Sequence, residues 1–150
     1  MIRTRSIAAA TAVVAAAGLA LIPVPAQAAG SVHLYKVYYD SPGSDRGANS
    51  SLNAEYVQIR NTTGASVQLR GWTLTDAVNH RYTFGTFTLA KGKTVTVRTG
   101  KGTNTSVNRY QGRAWYVWNN DKDTATLRRA NGTRVDVCSY NSTRADYRMC

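Results

Sequence analysis

The strongest constraint on this chain is the period of its apolar residues. From about residue 31 they recur at alternate positions in short runs, with turn-forming clusters between the runs. Residues 31–39 (SVHLYKVYY) are rich in β-branched and aromatic side chains, and residues 55–61 (EYVQIRN) put Val57 and Ile59 on one face. Val67 and Leu69, Trp72 and Leu74, Tyr82 and Phe84, and Phe87 and Leu89 repeat the pattern. Val95 and Val97 then alternate with Thr94, Thr96 and Arg98. Ala125 and Leu127 lead through an Asn131-Gly132 hairpin to Val135 and Val137. After the first thirty residues no stretch shows apolar positions at helical spacing. Residues 40–53 and 99–113 are polar and rich in Gly and Asn, and read as long loops. Many short strands with regular turn signals predict an all-β sandwich.

The N-terminal segment does not belong to that pattern. Arg3 and Arg5 precede an apolar run over residues 7–22, Pro23 and Pro25 break it, and Ala26-Gln27-Ala28 follows. A positive start, a short apolar stretch and small residues at the cleavage positions predict a signal peptide over residues 1–28, removed after Ala28. The run is short for a membrane anchor, and no second apolar stretch follows it. Residues 29–150 are then expected to be one domain with a C-terminal tail, exported and bacterial in the style of its leader. In an oxidising compartment, Cys138 and Cys150 are expected to form one disulfide clamping the C-terminal segment onto the last strand.

Glu55-Tyr56-Val57-Gln58-Ile59-Arg60-Asn61, followed by Leu69-Arg70-Gly71-Trp72-Thr73-Leu74-Thr75-Asp76, resembles the opening signature of lamin tail domains. Tyr82-Thr83-Phe84, Val117-Trp118-Asn119-Asn120, Asp123-Thr124-Ala125-Thr126-Leu127, Gly132 and Val135-Asp136 follow in the family's order. The resemblance implies an immunoglobulin-like β-sandwich, in bacteria an exported one. Lys122 departs from the family's usual Gly before the Asp, and the extension through Cys150 is not part of the family's pattern. Physically, Trp72 and Trp118 suit the gap between two sheets. Gly71 suits a bulge or a close backbone approach, and Asp76 and Asn119 suit hydrogen bonds to turn backbone.

Parts for catalysis are scarce. After residue 28 the chain holds two histidines, His33 and His80, and one glutamate, Glu55, and none of the common nucleophile or metalloprotease motifs. No enzyme activity and no cofactor are expected. Oxygen-bearing residues in and beside the first long loop, namely Asp40, Asp45, Asn49, Asn53 and Glu55, form a minor candidate set for calcium. Their spacing does not match an EF-hand loop, and a polar surface loop of turn formers accounts for them better.

The formal charge is +11, of which Arg3 and Arg5 contribute two, leaving +9 on the expected mature domain. Such a balance favours polyanions. Lys101, Arg109, Tyr110, Arg113 and Trp115 in the second long loop, with Arg128, Arg129 and Arg134 around the final hairpin, interleave cations with aromatics. Arg144, Arg148, Tyr140 and Tyr147 extend the theme into the tail. That combination suits phosphate contacts with aromatic support. The expected partners are extracellular nucleic acid or an anionic wall polymer. The alternative is a structural or protein–protein module recruiting another secreted or surface protein, with the charge serving solubility.

Overall fold

A computed structural model describes residues 29–150. The expected signal peptide lies outside the described residues. The chain forms β1 (Val32–Tyr38), α1 (Asn49–Ala54), β2 (Tyr56–Asn61), β3 (Val67–Gln68), β4 (Thr73–Thr75), β5 (Arg81–Thr83) and β6 (Thr88–Leu89). It continues through β7 (Thr94–Arg98), β8 (Asn108–Tyr110), β9 (Lys122–Arg128), β10 (Arg134–Asn141) and β11 (Tyr147–Met149). A five-stranded sheet in the order β11-β1-β2-β7-β8 packs on a four-stranded sheet in the order β10-β9-β4-β5, with β3 and β6 as a small ribbon. This is the all-β sandwich the alternation predicts, in the immunoglobulin-like form the resemblance implies.

The alternation decides which side chains face inward. Leu34, Val37, Val57, Ile59, Val95 and Val97 from the first sheet meet Leu74, Ala125, Leu127, Cys138 and Tyr140 from the second. Trp72, Phe84, Phe87 and Trp118 fill the space from the connecting segments. Glu55 and Asn61 share the parity of Val57 and Ile59, and both are fully buried. Asn61 is satisfied there: its amide donates to the Ala65 and Leu89 carbonyls at 2.9 Å and its Oδ1 accepts from Thr63.

The other signature residues do structural work as well. Gly71 has φ +78°, and a Cβ on it would come within 2.9 Å of the Ala130 Cβ, so both its left-handed backbone and its missing side chain are needed. Asp76 accepts from the Val78 and His80 amides, closing the β4–β5 turn. Asn119 departs from its expected part. Its side chain is exposed, and only its backbone is engaged, the N–H to Asp123 and the carbonyl to Tyr140. The turn is held by Asp123, which is buried and accepts from the Ala77, Asn119 and Thr124 amides. Lys122 opens β9 with a negative φ, which is why a non-glycine residue is tolerated there. In the β9–β10 hairpin Gly132, at φ +85°, closes a turn in which its N–H reaches the Arg129 carbonyl.

Three segments differ from the sequence reading. Residues 49–54, expected as loop, form α1, which buries only Leu52. A helix this short shows no period, and tertiary bonds hold it: Asn49 and Asn53 bind the Lys101 backbone, and Ser51 meets Tyr116. Within the expected loop 99–113, β8 pairs parallel with β7. Its Asn-Arg-Tyr sequence carries no apolar alternation because it is an edge strand. The expected tail contains β11, an antiparallel partner of β1.

Cys138 and Cys150 are bonded across a sequence separation of 12. The bond ties β11, in the first sheet, to β10, in the second, on one side of the sandwich. Replacing both cysteines with serine is expected to lower the unfolding free energy by about 2–3 kcal/mol. Urea denaturation against the oxidised wild type measures this, and an unchanged midpoint would show that β11 needs no covalent tether.

Candidate interaction surfaces

Several acidic residues serve the fold: Glu55, Asp76 and Asp123 are buried, while Asp45, Asp121 and Asp146 are exposed. The Asp136 carboxylate accepts from the Leu34 and Val137 amides, joining the two sheets. Asp45 accepts from Asn120, and Asp76 and Asp123 hold turns as described above. Glu55 accepts from the Thr99 hydroxyl at 2.6 Å and the Val117 amide at 2.9 Å. Burial pushes its carboxyl up to about 7, against the opposing pull of those hydrogen bonds. Among the described residues the single ion pair is His80 with Asp76, and no Lys or Arg is paired with a carboxylate. Seventeen of the nineteen Lys and Arg lie in residues 29–150, so an excess of cations is left without internal partners.

The structure does not gather the predicted basic and aromatic residues into one patch. Strand register puts Arg128, Arg129 and Arg134 at the end of the sandwich where β1 begins, in the hairpin between β9 and β10. There Arg129 and Arg134 border an open groove of about 580 Å³ with apolar lining from Val32, Val67 and Trp72. Lys101, Arg113 and Trp115 lie at the opposite end, beyond Arg98, roughly 20 Å away at the rise of an extended strand. Arg113 donates to the Arg81 carbonyl, and Trp115 is 61% exposed with its ring against Gly47. Arg109 faces inward from β8 and stacks over the Phe87 ring at 4.7 Å, so it packs rather than reaching outward. Tyr110 covers Gly102. Tyr140 is buried, stacked on Tyr39 at 3.8 Å.

The calcium set is spread in the same way. Asn49 and Asn53 are bonded to the Lys101 backbone, Asp45 to Asn120, and Glu55 lies in the core. Among the described residues no group of three or more His, Cys, Asp or Glu side chains is placed to hold a metal. His33 Nδ1 lies 3.1 Å from the Ser31 hydroxyl at an exposed strand start, and His80 Nδ1 lies 2.6 Å from Asp76 in a turn.

A surface not singled out in the sequence lies on the outer face of the five-stranded sheet. Register aligns Tyr147, Tyr38, Tyr56, Arg98 and Tyr110 in one row across all five strands. Tyr38 stacks on Tyr56 at 5.3 Å and on Tyr147 at 6.1 Å between ring centres. Lys36 Nζ sits over the Tyr147, Tyr38 and Tyr56 rings at 4.1, 5.2 and 5.9 Å. Arg60 lies 3.5 Å over the Tyr35 ring, because a bulge between Leu34 and Lys36 turns Tyr35 outward as well. At one margin, burial and the Asp146 and Asp40 charges raise the Tyr38 phenol above its ordinary value. Only the alternation of Tyr, Lys and Arg opposite the apolar positions hinted at this face. Their alignment depends on register, which one sequence does not carry.

The family model of the lamin tail domain matches residues 25–142. The chain belongs to the lamin tail domain family. Many of the family's signature positions here are buried or turn-forming residues of the sandwich, so membership accounts for the fold, and the family is one of interaction domains. The match ends before β11 and Cys150, so the strand that contributes Tyr147 to the row lies outside the residues matched to the family. No curated protein sequence matches the chain.

Proposed function

We propose that this lamin tail domain protein is exported and acts as a non-catalytic module that binds polyanions through its lysines and arginines. The observation that carries the reading is the division of charge roles among the described residues. Glu55, Asp76, Asp123 and Asp136 accept from backbone amides, while no lysine or arginine has a carboxylate partner. A surface charged only for solubility usually mixes both signs. Here residues 29–150 carry a net +9, and none of their lysines or arginines is paired with a carboxylate.

Binding to a phosphate polymer is expected to be salt-dependent, with affinity falling at least tenfold between 50 and 200 mM salt if as few as three phosphates are contacted. Titration of fluorescently labelled oligonucleotide and of a wall-type polyol phosphate, each at both salt levels, measures it. Absence of binding at low salt, together with capture of a protein partner that survives high salt, would favour the protein–protein module instead.

A further inference from the structure

We propose that the polyanion site of this protein is the outer face of its five-stranded sheet, and that its ligand is an extended, base-free phosphodiester chain, a polyol-phosphate polymer. The inference rests on the polyanion reading above and goes further by naming the site and the ligand class.

Charge complementarity is the first argument. The outward strand positions of β11, β1, β2, β7 and β8 hold tyrosines, Lys36, Arg60, Arg98 and neutral polar residues such as Gln58, Thr94 and Asn108, and the acids near the face, Asp40 and Asp146, are confined to its Tyr38 margin. Spacing is the second. Arg60, Lys36 and Arg98 stand at three successive levels along the strands, each two residues from the next, or about 6.7 Å at the rise of a strand. Because the three lie on β2, β1 and β7, strand spacings of about 4.8 Å add sideways and set their backbone positions about 8 and 12 Å apart, one to two repeats of an extended phosphodiester backbone.

Preorganisation is the third argument, and it separates this face from the basic hairpin. Arg60 is fixed by the Tyr35 ring and by a 3.0 Å bond to the Thr94 hydroxyl. Arg98 is fixed by the Asn53 carbonyl at 2.7 Å and Asn108 at 2.9 Å, and a guanidinium keeps further N–H donors for a ligand. Lys36 is held among three rings. Holding these long side chains in place costs little more on binding. By contrast Arg128, Arg129 and Arg134 are all exposed, and of the three only Arg128 makes a side-chain hydrogen bond, to the Gly132 carbonyl.

Ring orientation decides the ligand class. Centre distances of 5.3 and 6.1 Å with interplanar angles of 21° and 16° mean that Tyr38, Tyr56 and Tyr147 stand upright and stack on one another. Their faces are taken by neighbouring rings and by cations, so no gap is left for a nucleobase. What they offer outward is edges and hydroxyls, which donate hydrogen bonds to phosphate and polyol oxygens. A single-stranded nucleic acid would gain its stacking contribution only by breaking this row.

The test compares two variants of the purified protein, Lys36→Gln with Arg60→Gln, and Arg128→Gln with Arg129→Gln and Arg134→Gln, against poly(glycerol phosphate) and an oligothymidylate of equal phosphate number. Thermal melting confirms that each variant folds. The sheet-face double variant is expected to bind poly(glycerol phosphate) at least tenfold more weakly and to flatten the log-affinity against log-salt slope by about 1.4. The hairpin triple variant, although it loses more charge, is expected to lose less affinity. The opposite order overturns the site while leaving polyanion binding standing. Oligothymidylate binding more than tenfold tighter than the base-free chain overturns the ligand class. A wild type that binds neither polymer at low salt overturns both this inference and the function it rests on.

Discussion

Replacing Trp118 with alanine is expected to destabilise the domain by about 4 kcal/mol, more than any other single truncation considered. Trp118 is 2% exposed and is the largest of the fully buried side chains. It enters the core from residues 114–119, a stretch without strand pairing, so no backbone ladder would compensate for its loss. The Val117 and Trp118 backbone is also where Glu55 directs its carboxyl oxygens. Trp118→Phe is expected to cost far less, within about 1.5 kcal/mol, since it retains much of the aromatic volume. The indole N–H meets no acceptor among the described residues, so its removal breaks no hydrogen bond. Trp115→Ala serves as the comparison. At 61% exposure it is expected to change stability by no more than about 0.5 kcal/mol. Urea denaturation of the three variants separates these outcomes. Equal losses for Trp118→Phe and Trp118→Ala would mean that the indole nitrogen has a buried partner after all.

The same stretch shows what a single sequence can and cannot carry. Trp72 and Trp118 were legible as core plugs because large apolar groups between strands have nowhere else to go. Gly71 and Asp76 were legible because turn chemistry is local. Glu55 was read as a calcium candidate, yet its parity with Val57, Ile59 and Asn61 already placed it inward, where both polar members of that face find hydrogen-bond partners. Arg109 resembles a ligand contact in the sequence because nothing in residues 99–113 announces β8, and an inward cation is recognisable only once Phe87 is beneath it. Whether Arg113 and Arg128 share a patch is not legible in the sequence, because it depends on the β9–β10 hairpin and the segment after β8 opening at opposite ends. The tyrosine row was invisible for the same reason. Tyr38, Tyr56 and Tyr147 are distant in the chain, and only the pairing of three strands makes them neighbours.

Lowering the pH from 8 to 5 is expected to stabilise the domain, contrary to the usual behaviour of a protein rich in hydrogen-bonded carboxylates. Glu55 is the cause. Its carboxyl has no exposure to water, and burial raises it from 4.5 to about 7 although Thr99 and Val117 donate hydrogen bonds to it. The Asp45 charge adds to the rise, and the buried Tyr140 phenol nearby is itself raised by burial and by the Asp123 and Glu55 charges. Oε2 has no partner among the described residues, which leaves the ionised form short of stabilisation. A carboxyl whose folded value lies above its unfolded value binds more protons in the folded state between pH 4.5 and about 7. Its contribution is therefore complete below that window and is lost as the pH rises through it, a change on the order of 3 kcal/mol. Glu55→Gln keeps an oxygen to accept from Thr99 and Val117 but cannot ionise. The variant is expected to melt higher than the wild type at pH 8, to match it at pH 5, and to lose most of the slope between. Thermal melts at half-unit pH steps measure all three. A wild-type stability that stayed level or rose from pH 5 to 8 would mean that Glu55 is ionised without penalty, with water or a cation reaching Oε2.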